Sequence, residues 1–163
     1  MVCQANKHVR MNALADGWTI GRLAEALGQY DDEFAVEAMV GEGVGAGAEA
    51  GAGEEPVLRV LMREHGDLAV FLSAAGEQLV ASTLLWPVDE QADADAFNRF
   101  ILKAQKLVPL SNFAITEVDG RDYYELIGEL AAASPIEMIV LELRVLADNA
   151  ISAAGDLRSA FAA

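Results

Sequence analysis

Asp119-Gly120 constrains the fold of this chain more than any other two residues. A two-residue type I′ turn needs positive φ at both central positions, and Asp-Gly between strand-like runs is the strongest short-range hairpin signal. The run before it goes from Leu110-Ser111-Asn112-Phe113 to Val118, and the run after it passes through Tyr123-Tyr124-Glu125-Leu126. Upstream, a helix-like segment from Phe97 to Lys106 meets Pro109 and must stop, because proline carries no N–H to continue the ladder. A helix is thus fastened to a hairpin, and the other elements can be laid around that unit.

Before it, Met1 to Asp16 shows no period and is expected to fray. Thr19 is placed to cap a first helix, with Trp18 as a hydrophobic staple against Leu23. Ile20, Leu23, Ala24 and Leu27 share one face of it, and Gly28 is placed to end it. Glu33 to Val40 alternates as a half-buried strand. Residues 41–55 are almost wholly Gly, Ala and Glu. They make no phosphate-cradling loop, since G-x-G-x-x-G and a Walker lysine are both missing, and such a composition cannot offset its ordering entropy. A flexible insertion between strands is expected.

Val57 to Arg63, Asp67 to Leu72 and Glu77 to Trp86 then read as three strands, broken at His65-Gly66 and Ala75-Gly76 and ended by Pro87. Tight turns between them predict an antiparallel meander. His65 lies beside Glu64 and Asp67, but no second histidine stands at ligand spacing, so it reads as a solvated turn residue. Asp93 or Asp95 can cap the second helix, whose stripe is Phe97, Phe100, Ile101 and Ala104. Ser134-Pro135-Ile136-Glu137 combines a serine cap, a first-turn proline and a capping-box glutamate. A stripe from Ile136 through Ile139, Val140, Leu143, Leu146, Ala147, Ala150 and Ile151 to Ala154 makes a long last helix.

This order predicts an α+β fold: one domain over 17–163, with a single antiparallel sheet, meander plus hairpin, and helices packed on one face. The longest meander strand carries Leu79, Ala81, Thr83 and Leu85 on one side and Val80, Ser82, Leu84 and Trp86 on the other. Apolar groups on both sides imply that the uncovered face is an interface, in a homodimer or with a partner.

Chemistry is harder to find. The net charge of -15, from 11 Lys and Arg against 26 Asp and Glu, argues against nucleic acid and anionic membranes as partners. The single cysteine, Cys3, forms no disulfide within the chain and suits a reducing cytoplasm. Met1 to Leu14 has no apolar core of a signal peptide, and no apolar run is long enough to span a bilayer. None of Ser73, Ser82, Ser111 or Ser134 lies in a nucleophile elbow. Glu117 and Glu125 could pair across the hairpin, although with so many acids a solvated face explains them as well. Tyr123 and Tyr124 must point to opposite faces, so one is expected to be buried with its hydroxyl bonded. Asn98, Ser111 and Asn112 can pin the Pro109 turn.

Phe97-Asn98, Ile101-Leu102-Lys103, Pro109-Leu110-Ser111-Asn112-Phe113 and Tyr123 to Leu130, with the helix holding Glu142, Leu146 and Asn149, resemble the YjfI-like bacterial family, whose function is unknown. The resemblance covers Trp18 to about Ala154, with residues 41–55 as an insertion. It supplies no catalytic residue, and it implies genetic company with PspA-like, ESCRT-III-related membrane-remodelling proteins. The element order is also similar to that of type III secretion chaperones and YbjN-like proteins, which are small, acidic, cytosolic and usually dimeric. The expected function is a non-enzymatic cytoplasmic binding module, chaperone-like or regulatory, with a PspA-like protein as candidate partner. It uses no cofactor or metal, and Leu79, Ala81, Leu85, Trp86 and Tyr123 are the expected contacts. The alternative is a small-ligand sensor or enzyme using the neighbourhood of Ser111, Asn112, Tyr123 and Tyr124.

Overall fold

In the computed structural model, which describes residues 17–40 and 56–161, Asp119 and Gly120 have φ of 52° and 77°. Both signs are those of the type I′ turn. The turn joins β5 (Asn112–Val118) to β6 (Arg121–Ala131), which pair antiparallel from Val118↔Arg121 to Asn112↔Ile127. The strand expected at Glu33 to Val40 is β1 (Phe34–Val40), and the expected three-strand meander supplies β2 (Pro56–Met62), β3 (Leu68–Ala75) and β4 (Gln78–Pro87). All six strands form one antiparallel sheet in the order β1-β2-β3-β4-β6-β5. β6, at 11 residues, is longer than β4, which alternation had made the longest strand. The segments at 1–16 and 41–55, expected to be flexible, lie outside the described residues.

Three helices cover one side of the sheet. α1 (Ile20–Leu27) starts at Thr19, whose Oγ1 accepts from Arg22 N at 3.3 Å, and lays Ile20, Leu23 and Leu27 on the core. α2 (Ala94–Ala104) is capped by Asp93, whose Oδ1 accepts from Ala96 N. Only Phe97 and Ile101 of its expected stripe are buried; Phe100 is turned out towards Phe161. α3 (Ile136–Ser152) carries the long stripe and continues through a π-helical turn at Ala153–Leu157 into Arg158–Ala160.

The start of α3 departs from the capping box. Pro135 occupies the cap position, and no side chain caps the helix. Ser134 serves α1 instead: its carbonyl accepts the Trp18 indole N–H at 2.7 Å, while Trp18 N donates to Ala132 O. Trp18 therefore ties the first helix to the last strand as well as shielding the core. Ile151, placed in the stripe by periodicity, is half exposed, and Ala153 is buried in place of Ala154.

The main core lies between this helical layer and one sheet face. Leu58, Val60, Val70, Leu72, Leu79, Ala81 and Leu126 meet Leu23 and Leu27 of α1 and Ile139, Leu143, Leu146 and Ala147 of α3. A second cluster fills the end of the sheet under α2. The rings of Trp86, Phe97 and Tyr124 meet edge-on or tilted with centroids 4.9–5.8 Å apart, Phe161 meets Phe97 edge-on, and Ala153 completes the packing. The Tyr124 hydroxyl donates to Asn98 Oδ1 at 2.7 Å, so the buried member of the tyrosine pair has the bonded hydroxyl expected of it.

Candidate functional site

Among the described residues, no helix covers the side of the sheet away from α1, α2 and α3. Register places Ala35, Glu37 and Met39 of β1 beside Leu61, Arg59 and Val57 of β2 on that side. Phe71 and Ser73 of β3 pair with Ser82 and Val80 of β4. Ser82, Val80 and Leu84 pair in turn with Ile127, Glu129 and Glu125 of β6, and β5 adds Ala114 and Thr116. Leu61, Ala69, Phe71, Val80, Leu84 and Ile127 are each half-buried, shielded only by their neighbours in the sheet. The result is an apolar surface across the middle strands. Charges interrupt it: Glu125 and Glu129 of β6 stand beside Leu84 and Val80, Arg59 pairs with Glu37 at 3.3 Å, and Arg121 binds Asp89 and Glu90 at 2.7 and 3.0 Å.

Of the five residues expected to make contacts, only Tyr123 stands on this open side, where it is half-buried with the Arg121 guanidinium 5.7 Å from its ring. Leu79 and Ala81, also expected to meet a partner, are fully buried beneath the helices. Trp86 is buried for a different reason. A register shift between Leu84 and Pro87 interrupts the alternation of β4, so Trp86 turns inward. There its indole N–H donates to Gln91 Oε1 at 3.0 Å, and Arg158 lies over its ring. Leu85, beside that shift, packs against both core clusters. Strand alternation had separated the two faces of β4 but could not say which one the helices would take. The open side was signalled by Arg59 and Glu37, charged residues interleaved with the apolar side of β1 and β2.

Two carboxylates are buried without full satisfaction. Glu125 lies within the open face, 7% exposed, and its Oε2 has no partner. Burial raises its pKa, and a hydrogen bond from Ser82 partly offsets the rise. Glu142 projects from α3 onto the helix-covered face, 3% exposed, with Oε1 unpartnered. It fits because residue 128 is glycine: a Cβ there would stand 2.8 Å from the Glu142 Cδ. Desolvation pushes the Glu142 pKa up to about 7. The pair weighed from sequence is not assembled, because Glu117 is opposite Asp122 while Glu125 is opposite Ala114, on the other side of the sheet.

The groups around the Pro109 turn bond one another. Asn149 Nδ2 donates to Pro109 O and to Ser111 Oγ, and Gln105 donates to Asn112 Oδ1 while accepting from Phe113 N. Tyr123 and Tyr124 face opposite sides, so these residues do not converge on one pocket. Next to the turn lies an apolar groove of about 420 Å³ between Leu107, Val108 and Phe113 on one wall and Ala153, Leu157 and Ala160 on the other. His65, read as a solvated turn residue, instead meets α3, with Nε2 2.9 Å from Asp148 Oδ1. Among the described residues no set of three His, Cys, Asp or Glu side chains is grouped to hold a metal, and no helix is long and apolar enough to cross a membrane.

A family model described as an uncharacterized protein conserved in bacteria, DUF2170, matches residues 17–161. The chain belongs to this family. It is similar to the uncharacterized protein YjfI of Escherichia coli K12, at 36% identity over 100 residues, which span 61% of this chain and 75% of that one. The YjfI of Escherichia coli O157:H7 matches with the same figures. The resemblance to the YjfI-like family is therefore shown. A chain in a crystal structure of the ExsC–ExsE complex matches 81% of this DUF2170 chain and 87% of its own length, at 18% identity and a TM-score of 0.40. That likeness is one of coarse arrangement.

Proposed function

We propose that this DUF2170 chain is a non-enzymatic protein-binding module of the cytoplasm, chaperone-like or regulatory, that receives its partner on the open sheet face. The observation that carries this reading is the apolar surface formed by Leu61, Phe71, Val80, Leu84 and Ile127, which no helix of the described chain covers. A contiguous apolar patch rimmed by charge marks an interaction site far more often than idle surface. The genetic company implied by the YjfI-like resemblance makes a PspA-like protein the first candidate partner, and a second copy of the chain is the other.

The test uses purified wild-type chain and a Phe71→Asp, Leu84→Asp double variant, each mixed with a purified PspA-like protein from the same organism and separated by size-exclusion chromatography with light scattering. Co-elution with wild type and loss with a folded double variant would establish both surface and partner. Failure to co-elute removes the PspA-like partner. If neither that complex nor a self-associated form depends on Phe71 and Leu84, the sheet face is not the binding surface.

The groove favours a second reading, a small-ligand sensor. Its volume lies within the 300–1,000 Å³ common for ligand sites, and a π-helical turn, frequent at functional sites, forms one wall. Ligand-induced thermal stabilisation that Ala153→Phe removes would support it.

A further inference from the structure

The open face also carries information about the kind of segment it takes. β2, β3, β4 and β6 each pair on both edges, so their backbone groups are already used in ladders. An occupant lying across them must satisfy its own backbone, as a helix does. Strands about 4.8 Å apart give a helix about 10 Å wide a seat of roughly two to three strands. The apolar centre of the face, from Phe71 through Val80 and Leu84 to Ile127, matches that width.

Glu125 decides the charge of the occupant. It sits beside Leu84 in the register, already largely buried, with Oε2 unpartnered. Oε2 is already closed off within the sheet, and a wholly apolar cover would also remove the last solvent access of this side chain and that of Glu129 beside Val80, which is unfavourable, whereas cations on the occupant would compensate. A second copy of this chain has little to offer. The cations within the six strands are Arg59 and Arg121, and both are already in ion pairs. Two chains of net charge -15 also repel one another.

We infer that the open face binds a cationic amphipathic helix of a partner protein, its apolar side over Phe71, Val80, Leu84 and Ile127 and a lysine or arginine paired with Glu125. This rests on the reading of the face as the binding surface.

The probe is a fluorescent 18-residue helical peptide with leucines along one face and lysines flanking them, compared with a peptide carrying glutamines at the lysine positions. Binding to the full chain is followed by anisotropy. The lysine peptide is expected to bind about tenfold more tightly, the scale of one charge-assisted contact. Glu125→Gln should remove most of that preference while leaving the glutamine peptide's affinity unchanged, whereas Glu77→Gln, at an exposed turn, should leave the preference intact. Leu84→Asp should abolish both interactions, with Phe71→Ser as a second variant if Leu84→Asp does not fold. A preference that survives Glu125→Gln overturns the cation pairing while sparing the face. Binding that survives both Leu84→Asp and Phe71→Ser overturns the face itself. Absence of binding by either peptide, or a dimer in sedimentation that Leu84→Asp dissociates, overturns the cationic-helix occupant.

Discussion

Glu142 and Gly128 form a unit at the residue scale. The glycine leaves room for a carboxyl on the core side, and the missing partner at Oε1 leaves that carboxyl better protonated than charged. The folded-state pKa of about 7 lies above the ordinary value of 4.5, so the native state holds this proton more tightly than the unfolded chain does. Stability from this group is therefore greatest below pH 4.5, falls as pH rises towards 7, and levels off above it. The loss is about 3 kcal/mol. Glu142→Gln should flatten that decline, read as melting temperature between pH 5 and 8. A wild type that melts higher at pH 8 than at pH 5, with an unchanged profile in the variant, would contradict this account. Gly128→Ala should cost about 1–3 kcal/mol by displacing the carboxyl, and much less in a Glu142→Ala background, since the two share one space. Neither residue was legible from periodicity, because a glutamate one position from Leu143 reads as a solvated neighbour of the stripe until the facing strand is known.

At the scale of elements, the local signals that came true are those whose physics is complete within a few residues. The Asp119-Gly120 turn is one, and its positive φ values make a prediction: Gly120→Ala should destabilise the chain by about 1 kcal/mol or more, measured by denaturant unfolding. The cap of α3 shows the opposite case. Ser134 has the right spacing for a capping box, yet the tertiary bond between its carbonyl and the Trp18 indole fixes the chain entering the helix, with Pro135 in the cap position. Ser134→Ala should therefore cost under about 0.5 kcal/mol, compared with about 1 kcal/mol for loss of a true cap. Trp18→Phe, which removes the indole donor from that bond, should cost more, on the order of 1 kcal/mol. The shift near the end of β4 belongs here too. Its register change reverses Trp86, a reversal that strict alternation cannot foresee.

For the molecule as a whole, the two faces of the sheet should respond oppositely to charge. Leu79→Asp places a carboxylate beneath α1 and α3 and should unfold the chain, since a buried unpaired charge exceeds the usual stability margin. Leu84→Asp, half-buried on the open side and opposite Glu125, should lower the melting temperature by much less than Leu79→Asp does. Equal melting temperatures for the two variants would mean that the helical layer is not where the structure places it. Leu79, Ala81 and Trp86 lie on the helix-covered side, and the apolar side opposite them, which the alternation of β4 implied, is left uncovered by the described helices.

The sequence by itself determined the order of elements, the antiparallel connectivity and the presence of apolar residues on both sides of β4, because turn chemistry and side-chain period are local properties. Only the tertiary structure decided which side the helices cover, how the shift before Pro87 turns Trp86 inward, and that Glu125 and Glu142 are buried. Those outcomes depend on packing between segments far apart in the chain. Alternation with a period of two labels the two faces of a strand equally well and contains no term for what will lie against either.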